Sequence, residues 1–491
     1  MTRKIRQFHR VRLWTAAAAA GIVTCAAPAA VAQGAQAAPD RPAVTTAQAT
    51  VAVDLAGKTT GGIGSHFMGL SFESGTLSNG MRYDAVGNLP QLLKNLGPGL
   101  LRLGGNSADL SSFTGITQPV ADALARLLKA TGWTALYTEN LLNFNAATVT
   151  ADAQLVGSTL GSSLYAFACG NEPDMYVPTK AKPSSYGTSS YLSGVTACNK
   201  AIKAGYSGAQ FAGPDVAWQP TWLTAYAKQM GTTAKALSAH FYPLGCADDG
   251  ASDSEQASTL LSTSIEQKEV ARFQGYEAIA KKYTRPLRVS ETNSACNGGE
   301  KGVSNSYASA LWVIDYMLTA AQQGIAGMNF HGGLNTLCDG YTVLCSTATN
   351  SNMYTPQPIY YGLLFTRLFG IGAFLPVTVS TSSSDQHVVA FADKPPATPA
   401  GGAVHVLVEN MGSQTTTSTL QLTGYTGSSV QVMTMAGGSP LATSGIKIQG
   451  SSVAADGTFT PRAASAVACK AGACPLNLAP YSAAVVTLNA S

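Results

Sequence analysis

Between about residues 62 and 370, short apolar runs alternate with stretches of helical spacing. The runs are Phe67–Phe72, Gly99–Leu103, Thr134–Thr138, Leu164–Ala168, Gln210–Ala212, Leu237–Tyr242, Leu287–Ser290 and Ile325–Phe330. Most have the length of a short buried strand. Between them lie Gln118–Lys129, Tyr191–Ala204, Ser254–Lys282 and Ser304–Gln323, whose apolar positions recur at helical intervals. Eight strand–helix units in about 310 residues predict a (β/α)8 TIM barrel of the α/β class. The competing α/β arrangement, a doubly wound open sheet, carries a glycine-rich phosphate loop after its first strand. Phe72-Glu73-Ser74-Gly75 is not such a loop.

Beyond Pro376 the texture changes. Ser, Thr and Gly rise, helical periodicity stops, and short alternating runs appear at His387–Phe391, Val404–Val408, Thr417–Leu422, Val430–Met435 and Ala483–Leu488. These predict a C-terminal β-sandwich. Gln48–Leu55 also alternates and is expected to add an N-terminal strand to that sandwich. The expected division is therefore 1–32 signal peptide (cleavage as late as 37), 33–61 lead-in and strand, 62–375 barrel, and 376–491 sandwich.

The first 13 residues carry Arg3, Lys4, Arg6, Arg10 and Arg12, and an Ala-rich apolar stretch runs from Trp14 to about Ala32. Ala30-Val31-Ala32 and Ala35-Gln36-Ala37 both fit a small-x-small cleavage site. This order reads as a secretory signal, so a secreted protein is expected. The whole chain has 30 basic and 26 acidic side chains, a net +4. The first 32 residues hold five of the basic ones and no acidic one, so the remainder carries −1. A basic surface for nucleic acid is not supported. No later stretch reaches about 18 unbroken apolar residues, so no membrane anchor is expected after cleavage.

Low charge (11%) and 45% hydrophobic residues argue against disorder. Of nine cysteines, Cys25 lies in the signal, and the even remainder of an exported chain suggests disulfides. Cys338/Cys345 and Cys469/Cys474 are close enough for local loops. The other four are read as Cys246–Cys296 and Cys169–Cys198, with free buried thiols as the alternative. No CxxC pair, HExxH motif or nucleotide loop occurs, so neither a metal nor a cofactor is expected.

In a barrel, chemistry collects where strands end. The expected strand ends carry Glu73, Arg102-Leu103-Gly104-Gly105-Asn106, Asn171-Glu172-Pro173, His240-Phe241-Tyr242, Ser290-Glu291-Thr292-Asn293 and His331-Gly332-Gly333. Glu172 and Glu291, ending strands four and seven, are the strongest pair. Two facing carboxylates suit glycoside cleavage, one protonated to donate to the leaving oxygen and one ionised to attack the anomeric carbon. Asn171 can bond a sugar 2-hydroxyl, and Tyr242 can steady the nucleophile.

Asn171-Glu172-Pro173 after strand four, with a Glu after strand seven, resembles the clan of retaining (β/α)8 glycosidases. Phe67–Glu73, Leu101–Asn106, Gly170–Asp174, His240–Leu244 and Val289–Ser294 resemble glycoside hydrolase family 79, the β-glucuronidase and heparanase family. Tyr307–Trp312 and Pro480–Ala484 fit it in outline. The resemblance implies Glu172 as acid/base and Glu291 as nucleophile. It implies Asn171, Tyr242 and Glu73 as sugar contacts, and a substrate bearing β-linked glucuronic acid. It also implies that backbone amides at Asn297 and Gly298 hold the uronate carboxylate. An aromatic residue is common where Cys296 stands, and a Cys246–Cys296 bridge would brace that loop in its place. Tyr341 and Tyr354 are both candidates for a substrate-contacting phenol. A neutral sugar (β-glucoside or β-xyloside) and a non-catalytic carbohydrate-binding role are the competing readings.

Overall fold

The structure, a computed structural model, describes residues 47–488 apart from 247–249, 335–337, 339, 347–351, 384–385 and 397–401. The expected signal peptide lies outside the described residues. The described chain begins in strand β1 (Ala47–Asp54), which buries Ala47, Ala49, Val51 and Val53 on one face. A short β2 (Thr60–Ile63) follows.

Eight parallel strands then close a barrel. They are β3 (Met68–Glu73), β4 (Leu100–Gly104), β5 (Thr134–Glu139), β6 (Leu164–Cys169), β7 (Phe211–Val216), β8 (Ala234–Phe241), β9 (Leu287–Thr292) and β10 (Gly327–His331). Each is followed by helix on the outside: α1 (Leu89–Asn95), α2 (Gln118–Thr131), α3 (Ala146–Leu160), α4 (Thr188–Gly205), α5 (Pro220–Met230), α6 (Asp253–Leu260) with α7 (Thr263–Lys282), α8 (Tyr307–Gln322) and α9 (Pro358–Phe369). The stretch expected as one helix at Ser254–Lys282 breaks at Leu261. Ser262 there accepts from the Ile265 amide and so caps α7. Leu100, Leu136, Ala166, Ala168, Ala212 and Ala236 pack together as a separate cluster of small and medium side chains in the barrel.

Among the described residues four disulfides form: Cys169–Cys198, Cys246–Cys296, Cys338–Cys345 and Cys469–Cys474. Between β10 and α9 the chain makes the small pair β11 (Leu344–Cys345) and β12 (Thr355–Pro356).

The remaining strands build the sandwich: β13 (Gly372–Leu375), β14 (Val377–Thr381), β15 (Val388–Lys394), β16 (His405–Asn410), β17 (Thr416–Thr423), β18 (Ser429–Ala436), β19 (Lys447–Ile448), β20 (Ser465–Ala468), β21 (Ala473–Leu478) and β22 (Ser482–Leu488). One sheet runs β14-β1-β17-β21; the other runs β19-β18-β22-β16-β15-β13-β2, with β20 on β18. β1 therefore sits inside its sheet, parallel to β17 and antiparallel to β14. The span expected as barrel, 62–375, includes the end of β2 and all of β13, and these pair with each other in the sandwich. The reason is local. Gly370, at φ 125°, ends α9, and the chain passes into β13 within two residues.

Helix α8 is buried almost all round, as a helix enclosed on every side must be. Its Tyr307 hydroxyl donates to the Met435 carbonyl of β18 at 3.2 Å. Gly362 of α9 lets the two helices touch, since a Cβ there would lie 2.2 Å from the Ala310 carbonyl oxygen.

Candidate active site

The polar residues at the barrel's strand ends converge on a cleft of about 460 Å³. Glu73, Asn171, Glu172, Tyr242, Glu291, Asn297 and Gly298 all line it, as do His331 and Tyr341. Tyr354 instead lies in the apolar core, with its backbone bonded to Asn88.

Arg102 of β4 organises the floor. Its guanidinium is fully buried and bonds Glu291 Oε2 at 2.6 Å, Asn171 Oδ1 at 2.8 Å and Ser71 Oγ at 3.0 Å. It also reaches Asp215 Oδ2 from Nη2 at 2.9 Å and from Nε at 3.1 Å. Burial works against its charge, but Asp215 and Glu291 reverse that and raise its pKa. One fixed planar fork thus orients one carboxylate and one amide while a second carboxylate balances it.

The sequence pattern does not single out Asp215. By that pattern the apolar run Gln210–Ala212 ends β7 at Ala212, because Gly213-Pro214-Asp215 interrupts it. In the structure β7 continues to Val216, and its register against β8 shifts between Pro214 and Val216. Such irregularities redirect side chains next to active sites. Asp215 takes a left-handed φ of 54° and accepts Ser290 Oγ at 2.6 Å. The same device acts on β8, where the register shifts between Ala239 and His240. His240 Nδ1 lies 2.9 Å from Glu172 Oε1 and 4.0 Å from Glu291 Oε1.

Glu172 also stands at a left-handed φ of 48°, a strained setting for a residue with a Cβ. Its amide donates to the Asp215 carbonyl at 2.9 Å. Behind it, Asp174 accepts the amides of Ala217, Trp218 and Gln219 at 2.9–3.0 Å and ties the β6 end to the loop after β7. Asp109 holds Asn171 through its amide at 2.8 Å. One carboxylate oxygen each of Glu172 and Glu291 lies within 4.8 Å of the other. The Glu172 side chain is 22% exposed and that of Glu291 9%, so Glu172 alone has ready exchange with solvent.

Burial tends to raise the Glu291 carboxyl. The charges of His331, His240 and Arg102 and the Tyr242 hydroxyl, which donates to Oε1 at 2.8 Å, outweigh it and hold Glu291 well below the usual carboxylate range. Burial likewise pushes His331 and His240 down, while Glu291 and, respectively, Glu73 and Glu172 bring both above the ordinary histidine value. Glu73 accepts the Ser107 amide at 2.8 Å and lies 3.5 Å from His331 Nε2. Gly105, at φ 72°, is required here, because a Cβ would lie 2.4 Å from the Glu73 carboxyl carbon.

The Cys246–Cys296 bridge joins the loops after β8 and β9. Asn297, Gly298 and Gly299 then follow one another at left-handed φ of 55°, 95° and 80°. Among the described residues, no backbone carbonyl accepts the Asn297 or Gly298 amide, and the Gly298 amide is turned to the Tyr341 hydroxyl. The Gly298 carbonyl accepts the Tyr341 amide at 3.1 Å, and the Tyr341 ring stacks on Tyr242 at 6.2 Å. Glu172, His240 and Glu291 together offer three closely spaced ligand atoms. A cation there would meet the Arg102 guanidinium already on Glu291, which disfavours a metal at this place.

Residues 140–318 match glycosyl hydrolase family 79, N-terminal domain. Over that stretch, somewhat more than a third of its length, this chain is similar to that family. Its curated relatives include a β-glucuronidase of Aspergillus niger, 27% identical over 41% of this chain and 40% of the relative. Another is a β-glucuronidase of Neurospora crassa, 26% identical over 41% and 39%. The chain thus spans about two fifths of the length of the curated relatives it matches. Its fold is similar to that of a 4-O-α-L-rhamnosyl-β-D-glucuronidase of Fusarium oxysporum (TM-score 0.71, 20% identity, 89% of this chain and 100% of that one). A family 51 arabinofuranosidase of Xanthomonas axonopodis shares the fold at TM-score 0.64 and 13% identity, over 90% and 100%.

Residues that the sequence left without a role are Arg102, Asp215, His240, His331 and Trp218. The first four form one charged network that no local spacing reveals. Trp218, 36% exposed at the cleft rim, is signalled by being a large aromatic left in solvent.

Proposed function

We propose that this protein is a secreted retaining β-glycosidase that hydrolyses β-linked glucuronic acid from glycans or glucuronides. The observation that carries the mechanism is the closeness of Glu172 and Glu291, with oxygens within 4.8 Å. Retaining enzymes hold their carboxyls about 5–5.5 Å apart, whereas inverting ones leave about 6.5–9.5 Å for a water.

Glu291, kept ionised by His331, His240, Arg102 and Tyr242, attacks the anomeric carbon and forms a covalent glycosyl ester. Glu172 gives its proton to the departing oxygen as the glycosidic bond breaks. Glu172, now a carboxylate, takes a proton from water, and the resulting hydroxide attacks the same carbon and releases Glu291. Asn171, its Oδ1 fixed by Arg102, presents its amide to the sugar 2-hydroxyl. Glu73 accepts hydroxyls on the far side of the ring. The Asn297 and Gly298 amides, which no backbone carbonyl occupies, receive the uronate carboxylate in charge-assisted hydrogen bonds beside the Tyr341 hydroxyl. The β-glucuronidase relatives support the uronate reading. Trp218 forms a platform for the leaving group.

Hydrolysis of p-nitrophenyl β-glucuronide and β-glucoside, with Glu291→Gln as control, tests this. Glucuronide cleavage lost in the control is expected. Cleavage of the glucoside alone overturns the uronate assignment, and sugar binding without turnover overturns the enzyme. Export is tested separately by N-terminal sequencing of the protein from culture medium, with cleavage after Ala32 or Ala37 expected.

A further inference from the structure

The cleft divides into two halves of different chemistry. Glu73, Glu291 and His331, from the ends of β3, β9 and β10, make one side charged. The stretches after β4, β5, β6 and β7 bring Leu110, Leu142, Met175 and Trp218 to the other. Among the described residues five large apolar side chains are left exposed, and two of them, Leu110 at 55% and Trp218 at 36%, stand on this one rim. An apolar surface kept open to water beside a cleft marks a place where something binds.

The apolar half is built onto Glu172. Met175 donates its amide to the Glu172 carbonyl at 2.8 Å, and Asp174 accepts the Trp218 amide at 2.9 Å. Asp109 accepts the amides of Asn171 and Leu142 at 2.8 and 3.0 Å, which sets Leu110 and Leu142 against the same strand end. The carboxyl that protonates the departing oxygen thus has apolar side chains beside it, and the departing group must lie on them.

Polar side chains on this half are already engaged. The Tyr176 hydroxyl is spent on Asp109, and the Thr179 hydroxyl on the Met175 carbonyl at 2.8 Å. Among the described residues no lysine or arginine lines the cleft. Lys182 donates to the Leu142 carbonyl at 3.0 Å, and Lys180, though exposed, stands outside the lining. A sugar acceptor needs hydrogen-bond partners, and an anionic chain needs cations. A flat apolar group needs only area and an aromatic face, which this half offers.

We propose that this half of the cleft receives a flat apolar aglycone, so that the substrates are β-glucuronides of aromatic or polycyclic alcohols rather than sugar chains. This rests on the glycosidase reading and narrows its substrate class. Trp218 supplies the face for the ring system, and Leu110 closes over its edge.

The test compares kcat/KM of the full chain on naphthylmethyl and methyl β-glucuronide. Both release a primary alcohol of similar acidity, so their ratio reads the aglycone contact and not the ease of departure. A third substrate carries β-glucuronic acid on the primary hydroxyl of galactose. The naphthylmethyl compound is expected to exceed the methyl one by at least about 10-fold, as burial of an aromatic group implies. In the double variant Leu110→Ser, Trp218→Ala the ratio is expected to fall at least about 5-fold. Both side chains are exposed, so neither change empties a core. A ratio near one in the unaltered chain, a ratio unmoved in the double variant, or a higher kcat/KM on the galactose compound than on the naphthylmethyl one would overturn the proposal. If glucosides are cleaved in place of glucuronides, the uronate reading fails, and the same ratio taken on methyl and naphthylmethyl β-glucoside still decides the aglycone. If neither sugar is cleaved, the enzyme reading fails, and the ratio of Kd values for the two glucuronides in titration calorimetry decides it by the same criteria.

Discussion

Arg102 is the residue on which most of the cleft depends. A lysine carries the charge but not the planar fork, so it cannot serve Glu291, Asp215 and Asn171 together. Arg102→Lys is expected to lower kcat by at least about 10²-fold, and to cost about 3–5 kcal/mol in denaturant titration by leaving Asp215 under-compensated. Removing the nucleophile is more severe: Glu291→Gln is expected to lose at least about 10⁴-fold in kcat, read with an aryl β-glucuronide. The pH behaviour follows from signs. A carboxyl held below its unfolded value stabilises the fold above about pH 4.3, and that stability is lost as pH falls through the folded value. A histidine held above its unfolded value acts oppositely, stabilising below about pH 6.5 and losing that as pH rises through the folded value. His331 is the leading cationic influence on Glu291. His331→Gln should therefore move the acid limb of the kcat/KM profile upward; an unmoved limb would show that His331 does not set the nucleophile's charge.

Elements differ in how plainly the sequence announced them. All eight barrel strands were legible, because strands covered on both faces are near-continuous apolar runs. β7 was cut short by Gly213-Pro214-Asp215, where chemistry displaced the pattern. β2, Thr60-Gly61-Gly62-Ile63, reads as a turn by composition, and only its partner β13 makes it a strand. β21, Ala-Cys-Pro-Leu-Asn-Leu, hides its alternation behind a proline that an edge strand tolerates. The strand-end carboxylates Glu172 and Glu291 were legible because position in a barrel is itself a chemical signal. Their counter-charges were not, since Arg102, Asp215 and His240 meet only through the closed barrel. The loop after β9 carries its own prediction. The Cys246–Cys296 bridge closes a 50-residue separation, worth about 4 kcal/mol by loop entropy. Replacing both cysteines by serine should raise KM for a glucuronide more than for a glucoside, with kcat changed less. Equal effects on both sugars would detach the Asn297–Gly298 loop from carboxylate recognition.

For the whole molecule, barrel and sandwich share a buried boundary at α8, and the sandwich is completed by a strand from the opposite end of the described chain. Deleting residues through Asp54 removes Val51 and Val53 from the second core and parts β14 from β17. At about 1.5–3 kcal/mol for each fully buried valine, a loss of at least about 3–6 kcal/mol is expected, visible as a lowered Tm or aggregation on expression. Among the described residues no helix is long and apolar enough to cross a membrane. The place of β1 also fixes an order of events. Ala47 pairs with Thr416, so the strand made first waits for one made 369 residues later. At about 5–20 residues per second that delay is roughly 20–75 s. Until β14 is made neither edge of β1 has its partner, and until β17 follows one edge still lacks it, while the barrel sequence between is already being made. The sandwich therefore closes last, and a nascent chain cannot lock itself into its final shape until nearly all of it has emerged.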